Sequence, residues 1–171
     1  MRRAVAVVLF SAALGCAHAG GAPAPPPTSS PSRLLGEALP TFRRPTLQGA
    51  TFDTAASPKQ LIVVDFFADY CKPCQRSLPA LEALHRRQPG LTIVGVSLDD
   101  TPDRAWRSVK RHGLTFPVIH DAGNVLAGRM RVTELPISFV ADASGRVRWV
   151  GGPDQPADAL ERAVATYSRE P

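Results

Sequence analysis

Two cysteines, Cys71 and Cys74, are separated by only Lys72 and Pro73. Cysteines at this spacing can form and open a disulfide, exchange it with another protein, or bind a metal ion. A structural zinc site needs two further ligands, and neither Cys16 nor the four histidines have the required spacing. A bridge across so short a loop stabilises a fold only weakly, because loop-closure entropy decreases with loop size. The pair therefore predicts a dithiol–disulfide site.

The segments on either side of the pair predict where it lies. Residues 61–67 are apolar, mostly β-branched or aromatic, and interrupted only by Asp65, which predicts a buried central strand. Apolar residues at 78, 81 and 84 have helical spacing and predict a helix after the pair. A cysteine at a helix start meets free N–H groups and the positive end of the dipole. Such surroundings can lower a thiol pKa from about 8.5 to roughly 3.5–7.5.

The rest of the chain alternates predicted strands and helices. In chain order these are a hairpin of residues 41–47 and 50–52, a strand at 91–98, a helix at 101–112, a strand at 116–119, a helix at 125–130, a hairpin of 137–140 and 147–150, and a helix at 156–168. Strand–helix–strand units followed by a hairpin and a helix imply an α/β fold. Its mixed sheet should be covered on both faces.

The N-terminus predicts export from the cytoplasm. A basic head, Met1-Arg2-Arg3, precedes an apolar segment at 4–14 that is too short to span a bilayer, so residues 1–15 are interpreted as a signal peptide. The sequence Ala13-Leu14-Gly15-Cys16 is similar to a bacterial lipobox, which would make Cys16 a lipidated first residue. Cleavage after Ala19 and ordinary secretion is the alternative. The expected location is periplasmic, with a lipid anchor in the membrane.

Composition predicts a tether followed by one domain. Residues 16–34 are rich in proline, alanine and serine, which favours an extended, unpacked segment, and residues 35–171 are long enough for one core. The formal charge of +5 falls to +3 without Arg2 and Arg3, with 18 basic and 15 acidic residues left. Because the basic residues are scattered among acidic ones, nucleic acid is not an expected partner. Anionic membranes or partners are mildly favoured.

Two segments carry a resemblance to a known superfamily. Residues 64–74 resemble the active-site strand and loop of thioredoxin, and residues 135–145 resemble its proline loop and the following hairpin. An additional helix and strand at 101–120, the leading hairpin and the N-terminus resemble exported TlpA/ResA-type thiol–disulfide oxidoreductases. The similarity covers residues 36 to about 152. It implies a thioredoxin-like fold with an N-terminal β-hairpin and a central helix/strand insertion.

The resemblance implies roles for four residues. Cys71 would be the attacking thiolate, and Cys74 would resolve the mixed disulfide. Pro136 matches the cis-proline that lies against the cysteine pair and offers backbone groups to a substrate peptide. Asp65 would help to move the proton when the buried cysteine is activated. The alternative for Asp65 is a structural carboxylate hydrogen-bonded to the backbone or a lysine.

Some residues depart from the family pattern. Tyr70 replaces the tryptophan usual before the first cysteine, and together with Lys72 and Pro73 it is expected to tune the redox potential. The cation of Lys72 should stabilise a thiolate and favour an oxidising potential. Ser77 stands where many TlpA/ResA-type proteins have a glutamate, which leaves Asp65 as the candidate proton carrier.

The function implied is reduction of disulfides in exported proteins, with cytochrome c maturation as one candidate process. Electrons would come from a membrane thiol-transfer protein, with no cofactor and no metal ion. A thiol oxidant of exported proteins and a non-catalytic thioredoxin-fold binding lipoprotein are the alternatives. A thiol peroxidase is not favoured, because neither Cys71 nor Cys74 lies in a P-x-x-x-[ST]-x-x-C pattern.

Overall fold

The structure is a computed structural model that describes residues 26–56 and 60–169, so the predicted signal peptide, Cys16 and Ala19 lie outside it. Within those ranges no helix has the length and apolar character needed to cross a membrane. The described residues form seven strands and four α-helices: β1 (Arg43–Pro45), β2 (Thr51–Asp53), β3 (Ile62–Phe67), α1 (Lys72–Arg87), β4 (Thr92–Ser97), α2 (Pro102–His112), β5 (Val118–His120), α3 (Val125–Arg129), β6 (Ile137–Ala141), β7 (Val147–Gly151) and α4 (Ala159–Tyr167).

The main sheet has five strands in the order β5-β4-β3-β6-β7. β3 pairs in parallel with β4, and β4 with β5, whereas β3–β6 and β6–β7 are antiparallel. Every residue of β3 is buried, which is expected of a central strand covered on both faces. The predicted mixed sheet, its central strand and both hairpins are confirmed.

Alternate side chains of β3 divide the core into two layers. Val63 and Phe67 pack with apolar residues of α1, α2 and α4 on one face. Val64 and Phe66 pack on the other face with α3, with the β1–β2 hairpin and with residues 34–42. Asp65 shares the face of Val63 and Phe67, so it points toward the helix that follows the cysteines.

The first edge of the sheet, at β5, is covered by the turn between β1 and β2. The Leu47 N–H donates to the Val118 carbonyl at 2.7 Å. The Gln48 side chain donates to the Phe116 carbonyl at 3.2 Å and accepts from the Val118 N–H at 3.1 Å. These bonds satisfy backbone groups that an open edge strand would leave unpaired.

The opposite edge, at β7, is covered by the segment that leads into the domain. The Ser30 N–H donates to the Val150 carbonyl at 2.7 Å, and the Val147 N–H donates to the Glu37 carbonyl at 2.8 Å. Gly152 N–H donates to the Ser30 hydroxyl at 2.8 Å. The last residues of the segment assigned to a tether from its composition therefore lie against the sheet.

Helix α1 is fastened to the loop after α2 by a buried acid, Glu82. Its carboxylate accepts from the Thr115 N–H at 2.8 Å, from the Thr115 hydroxyl at 2.7 Å and from Arg86 Nε at 2.5 Å. Burial alone would raise the pKa of Glu82, but these hydrogen bonds hold it below its ordinary value. The helix that carries Cys74 is thereby held to the neighbouring loop as well as to the sheet.

Candidate active site

The two cysteines form a disulfide at the start of α1, just after the loop that follows β3. Their Cα atoms are 5.2 Å apart. Cys71 is the N-cap of the helix, and its Sγ accepts a hydrogen bond from the Cys74 N–H at 3.2 Å. Cys71 keeps 7% of its surface exposed, whereas Cys74 is completely buried. Solvent therefore reaches the pair from the side of Cys71.

The local sequence explains why the helix begins at this point. The Cys71 N–H closes a turn onto the Ala68 carbonyl at 3.1 Å, and the first helical bond runs from the Gln75 N–H to the Cys71 carbonyl at 3.2 Å. Pro73 is tolerated because an N–H in the first turn has no helical partner in any case. The first turn carries no acidic residue, and Lys72 adds a cation. A helix start with these features is a place where cysteines generally favour the thiolate form.

The loop before Cys71 is anchored by a buried aspartate, Asp99. The Asp69 N–H donates to both Asp99 oxygens, at 2.9 and 3.2 Å, and the Ser97 hydroxyl donates to Asp99 at 2.8 Å. Between the anchored Asp69 and Cys71 stands Tyr70, which is 65% exposed. The aromatic ring thus projects from a fixed backbone beside the disulfide.

The same loop is tied to α2, the helix of the predicted insertion. The Asp69 carboxylate pairs with Arg107 at 3.1 Å and with Arg111 at 2.9 Å. Gln75 donates to the Asp69 carbonyl at 3.0 Å, and its side-chain oxygen contacts Arg111 at 2.9 Å and His112 Nε2 at 2.6 Å. Burial and the Arg111 cation lower the pKa of His112 from its ordinary value, against an opposing effect of Asp69. This network was not predicted from the sequence.

Asp65 lies opposite Ser138 in the β3–β6 pairing and is 3% exposed. Its Oδ1 accepts from the Ser138 hydroxyl at 2.6 Å, and its Oδ2 has no hydrogen-bond partner among the described residues. Burial raises the pKa of Asp65 to about 7, although the Ser138 bond lowers it. The Leu135–Pro136 peptide bond just before β6 is cis, in agreement with the resemblance.

A cleft of about 240 Å³ brings several of these residues together beside the first turn of α1. Asp65, Pro73, Ser77 and Pro136 line it, and so does Trp149. The buried Trp149 Nε1 also lacks a hydrogen-bond partner within the described ranges. Ser77 donates to the Cys74 carbonyl at 3.2 Å. Two acids of the described chain line the cleft, Asp65 and Glu161, and Glu161 pairs with Arg87 at 3.1 Å.

No cluster of three or more histidine, cysteine or acidic side chains suited to a metal ion occurs in residues 26–56 and 60–169. The strand order, the cis-proline and a disulfide at a helix start define a protein of the thioredoxin-like class. The model of the AhpC/TSA family matches residues 35–150, and the chain belongs to this family.

The curated relatives of this chain are named for thiol–disulfide chemistry. The chain is 29% identical over 115 residues to the thiol-disulfide oxidoreductase ResA of Bacillus thuringiensis, and the match covers 66% of each chain. It is 32% identical over 124 residues to the thiol:disulfide interchange protein HelX of Rhodobacter capsulatus, which covers 71% of this chain and 69% of HelX. The chain thus spans about two thirds of the length of these relatives.

Solved structures agree on the fold. A secreted disulfide oxidoreductase of Mycobacterium tuberculosis, described as homologous to E. coli DsbE, matches with a TM-score of 0.67 and 28% identity over 73% of this chain and 95% of that one. A thiol:disulfide interchange protein of Chlorobium tepidum matches with a TM-score of 0.68 and 26% identity over 81% of this chain and 99% of that one. The thioredoxin-like fold predicted from the sequence is confirmed.

The raised pKa of Asp65 predicts how stability depends on pH. An unfolded aspartate ionises near pH 3.9, whereas the folded carboxyl keeps its proton to about pH 7, so the contribution of Asp65 to stability declines as the pH rises between these values. Asp65→Asn removes that decline. We expect the oxidised variant to be more stable than the wild type by about 1–3 kcal/mol at pH 8, with the advantage lost toward pH 4. Urea unfolding at both pH values measures it, and a pH-independent difference would contradict the assignment.

Proposed function

We propose that this chain is a thiol–disulfide oxidoreductase that reduces disulfides of exported proteins. The observation that carries the proposal is the Cys71–Cys74 disulfide at the start of α1, with Cys71 reached by solvent and Cys74 buried. The names of the relatives support the same chemistry. The absence of a peroxidase sequence pattern around either cysteine favours it over peroxide reduction.

The proposed reaction is a pair of thiol–disulfide exchanges. The Cys71 thiolate attacks one sulfur of the partner's disulfide, so that this S–S bond breaks and a mixed disulfide forms. The Cys74 thiolate then attacks the Cys71 sulfur, which closes the Cys71–Cys74 bond and releases the partner as a dithiol. Two electrons pass to the partner, and another thiol protein must return them.

Asp65 is proposed to accept the proton of Cys74 before the second exchange. Its carboxyl lies on the sheet face turned toward α1, keeps one oxygen without a partner in the described chain, and has a pKa raised to about 7 by burial. An acid with such a pKa can gain and lose a proton near neutral pH. The hydrogen bond from Ser138 is the observation that favours the structural alternative.

Export, a lipid anchor at Cys16 and a membrane thiol-transfer protein as electron donor complete the proposal. They rest on the predicted signal peptide and on the resemblance to TlpA/ResA-type proteins, and apocytochrome c is a candidate substrate on the same ground. A thiol oxidant is the second candidate. It is favoured by Lys72 and by the lack of an acid in the first turn, because both stabilise the reduced thiolate.

The two cysteines should differ in reactivity. Brief alkylation of the reduced protein at mildly acidic pH is expected to modify Cys71 first, because its sulfur lies at the exposed helix start and Cys74 is buried. Peptide mass spectrometry locates the label. The Cys74→Ala variant should trap mixed disulfides through Cys71, because it lacks the sulfur that would release the partner. Faster labelling of Cys74 would reverse the two roles.

The role of Asp65 is tested by the rate of the second exchange. Asp65→Asn should slow the closing of the Cys71–Cys74 bond by about tenfold or more, since general acid–base groups contribute about 10²–10⁴-fold. Formation of the mixed disulfide should keep its wild-type rate. Stopped-flow measurement with a disulfide peptide separates the two steps, and a wild-type closing rate from pH 6 to 8 would leave Asp65 with a structural role only.

Catalysis and its direction are tested in two assays. The wild type should accelerate reduction of insulin by dithiothreitol, and Cys71→Ser should abolish the acceleration. A non-catalytic binding protein would give no acceleration with either chain. In cells quenched rapidly with acid and then alkylated, a reductase should be found mainly as the dithiol. A pair found mainly oxidised would support the oxidant instead.

A further inference from the structure

Five exposed basic side chains lie on the first turns of α1 and on the neighbouring helix α2, and they are called here the basic rim: Lys72, Arg76, Arg107, Lys110 and Arg111. The first two project from the first turns of α1, one helical turn apart. The other three occupy one side of α2 at positions i, i+3 and i+4. The ion pairs of Arg107 and Arg111 with Asp69 hold this side of α2 against the loop that leads into Cys71.

The rim is not neutralised by the acids around it. Asp69 forms ion pairs with two arginines at once. Asp103 lines a shallow depression with Trp106, Arg107 and Lys110. Of the other acids nearby, Asp99 is buried, Asp100 pairs with Arg104 at 3.4 Å, and Glu161, which lines the cleft together with Arg76, pairs with Arg87 at 3.1 Å. Lys72, Arg76 and Lys110 form no ion pair with the described residues. The rim therefore presents three basic side chains that no acid among the described residues neutralises.

Any protein that exchanges disulfides with Cys71 must cover this region. A stable interface buries about 800 Å² per partner, which corresponds to a disc of about 16 Å radius. Because consecutive Cα atoms are about 3.8 Å apart, the Cα atom of Asp69 lies within about 8 Å of that of Cys71. The Asp69 carboxylate contacts Arg107 at 3.1 Å and Arg111 at 2.9 Å. The exposed ring of Tyr70 lies inside the same disc and offers the aromatic contact that interface centres favour.

We propose that the basic rim docks an acidic surface of the protein that exchanges disulfides with Cys71. The inference rests on the proposed function and adds the charge of the partner. Complementary charges on two proteins increase the rate at which they meet. In this chain the positive charge of the rim lies beside the reacting sulfur and is not spread over the general surface. A lipid surface bound to the rim would instead cover Cys71 and keep protein partners away from it.

The experiment compares two disulfide-bonded peptides that differ only in flanking glutamates or lysines. The full chain is reduced, and the second-order rate of peptide reduction is measured in about 0.01 M and about 1 M salt, where the Debye length changes from about 30 Å to about 3 Å. At low salt the glutamate peptide should react at least about tenfold faster than the lysine peptide. The preference should disappear at high salt.

The charge-reversal variant is Arg76→Glu with Lys110→Glu, and the matched control is Arg33→Glu with Arg169→Glu. The control residues are exposed, lie in the leading segment and at the end of the chain after α4, and change the net charge equally. The variant should lose or invert the peptide preference, and the control should retain it. The neutral probe bis(2-hydroxyethyl) disulfide should react at the same rate with all three proteins.

Three results would overturn the inference. Equal rates with both peptides at low salt would do so, as would an unchanged preference in the charge-reversal variant. The third result is a charge-reversal variant that no longer sediments with phosphatidylglycerol vesicles but reduces both peptides at the wild-type rates. It would show that the rim binds a membrane. A wild type that reduces the neutral probe but does not discriminate between peptides refutes only this inference. One that reduces no disulfide refutes the proposed function as well.

Discussion

The start of α1 leaves backbone N–H groups without helical partners, and the site depends on sulfur accepting one of them. The Cys74 N–H points at the Cys71 sulfur, so the helix is capped by the atom that would carry the negative charge of a thiolate. A thiolate gains more from this bond than a thiol does. Helix stability and sulfur ionisation are thus coupled through one hydrogen bond, and the residues around it serve to keep its geometry.

Much of that geometry is held from the side of α2. Asp99 accepts a hydrogen bond from the backbone N–H of Asp69, and the Asp69 carboxylate forms ion pairs with Arg107 and Arg111. The helix that the resemblance to TlpA/ResA-type proteins implied to be an insertion therefore contacts the active-site loop directly. An addition to a thioredoxin-like framework has become a support for its reacting segment and the source of most of the charge beside it.

The sequence predicted the elements well because their signals are local. The apolar run of β3, the helical spacing in α1 and the glycine turns of both hairpins each act over a few residues. The contacts of Asp69 could not be predicted, since Arg111 lies 42 positions away and one arginine on a helix resembles another. Glu82 was missed for the same reason. The docking of residues 30–38 on β7 was missed because backbone hydrogen bonds require no particular side chain, and a proline- and serine-rich composition favours an extended tether.

The two covered edges of the main sheet bear on how the proposed oxidoreductase would meet a partner that is still unfolded. An extended polypeptide can add itself as a further strand wherever a sheet ends in free N–H and C=O groups. Here Gln48 and its turn occupy one end of the sheet, and residues 30–38 occupy the other. An exported chain that has not yet folded would find little backbone to pair with along the sides of the domain. Under the proposed function, recognition of such a partner would fall to the surface around the disulfide.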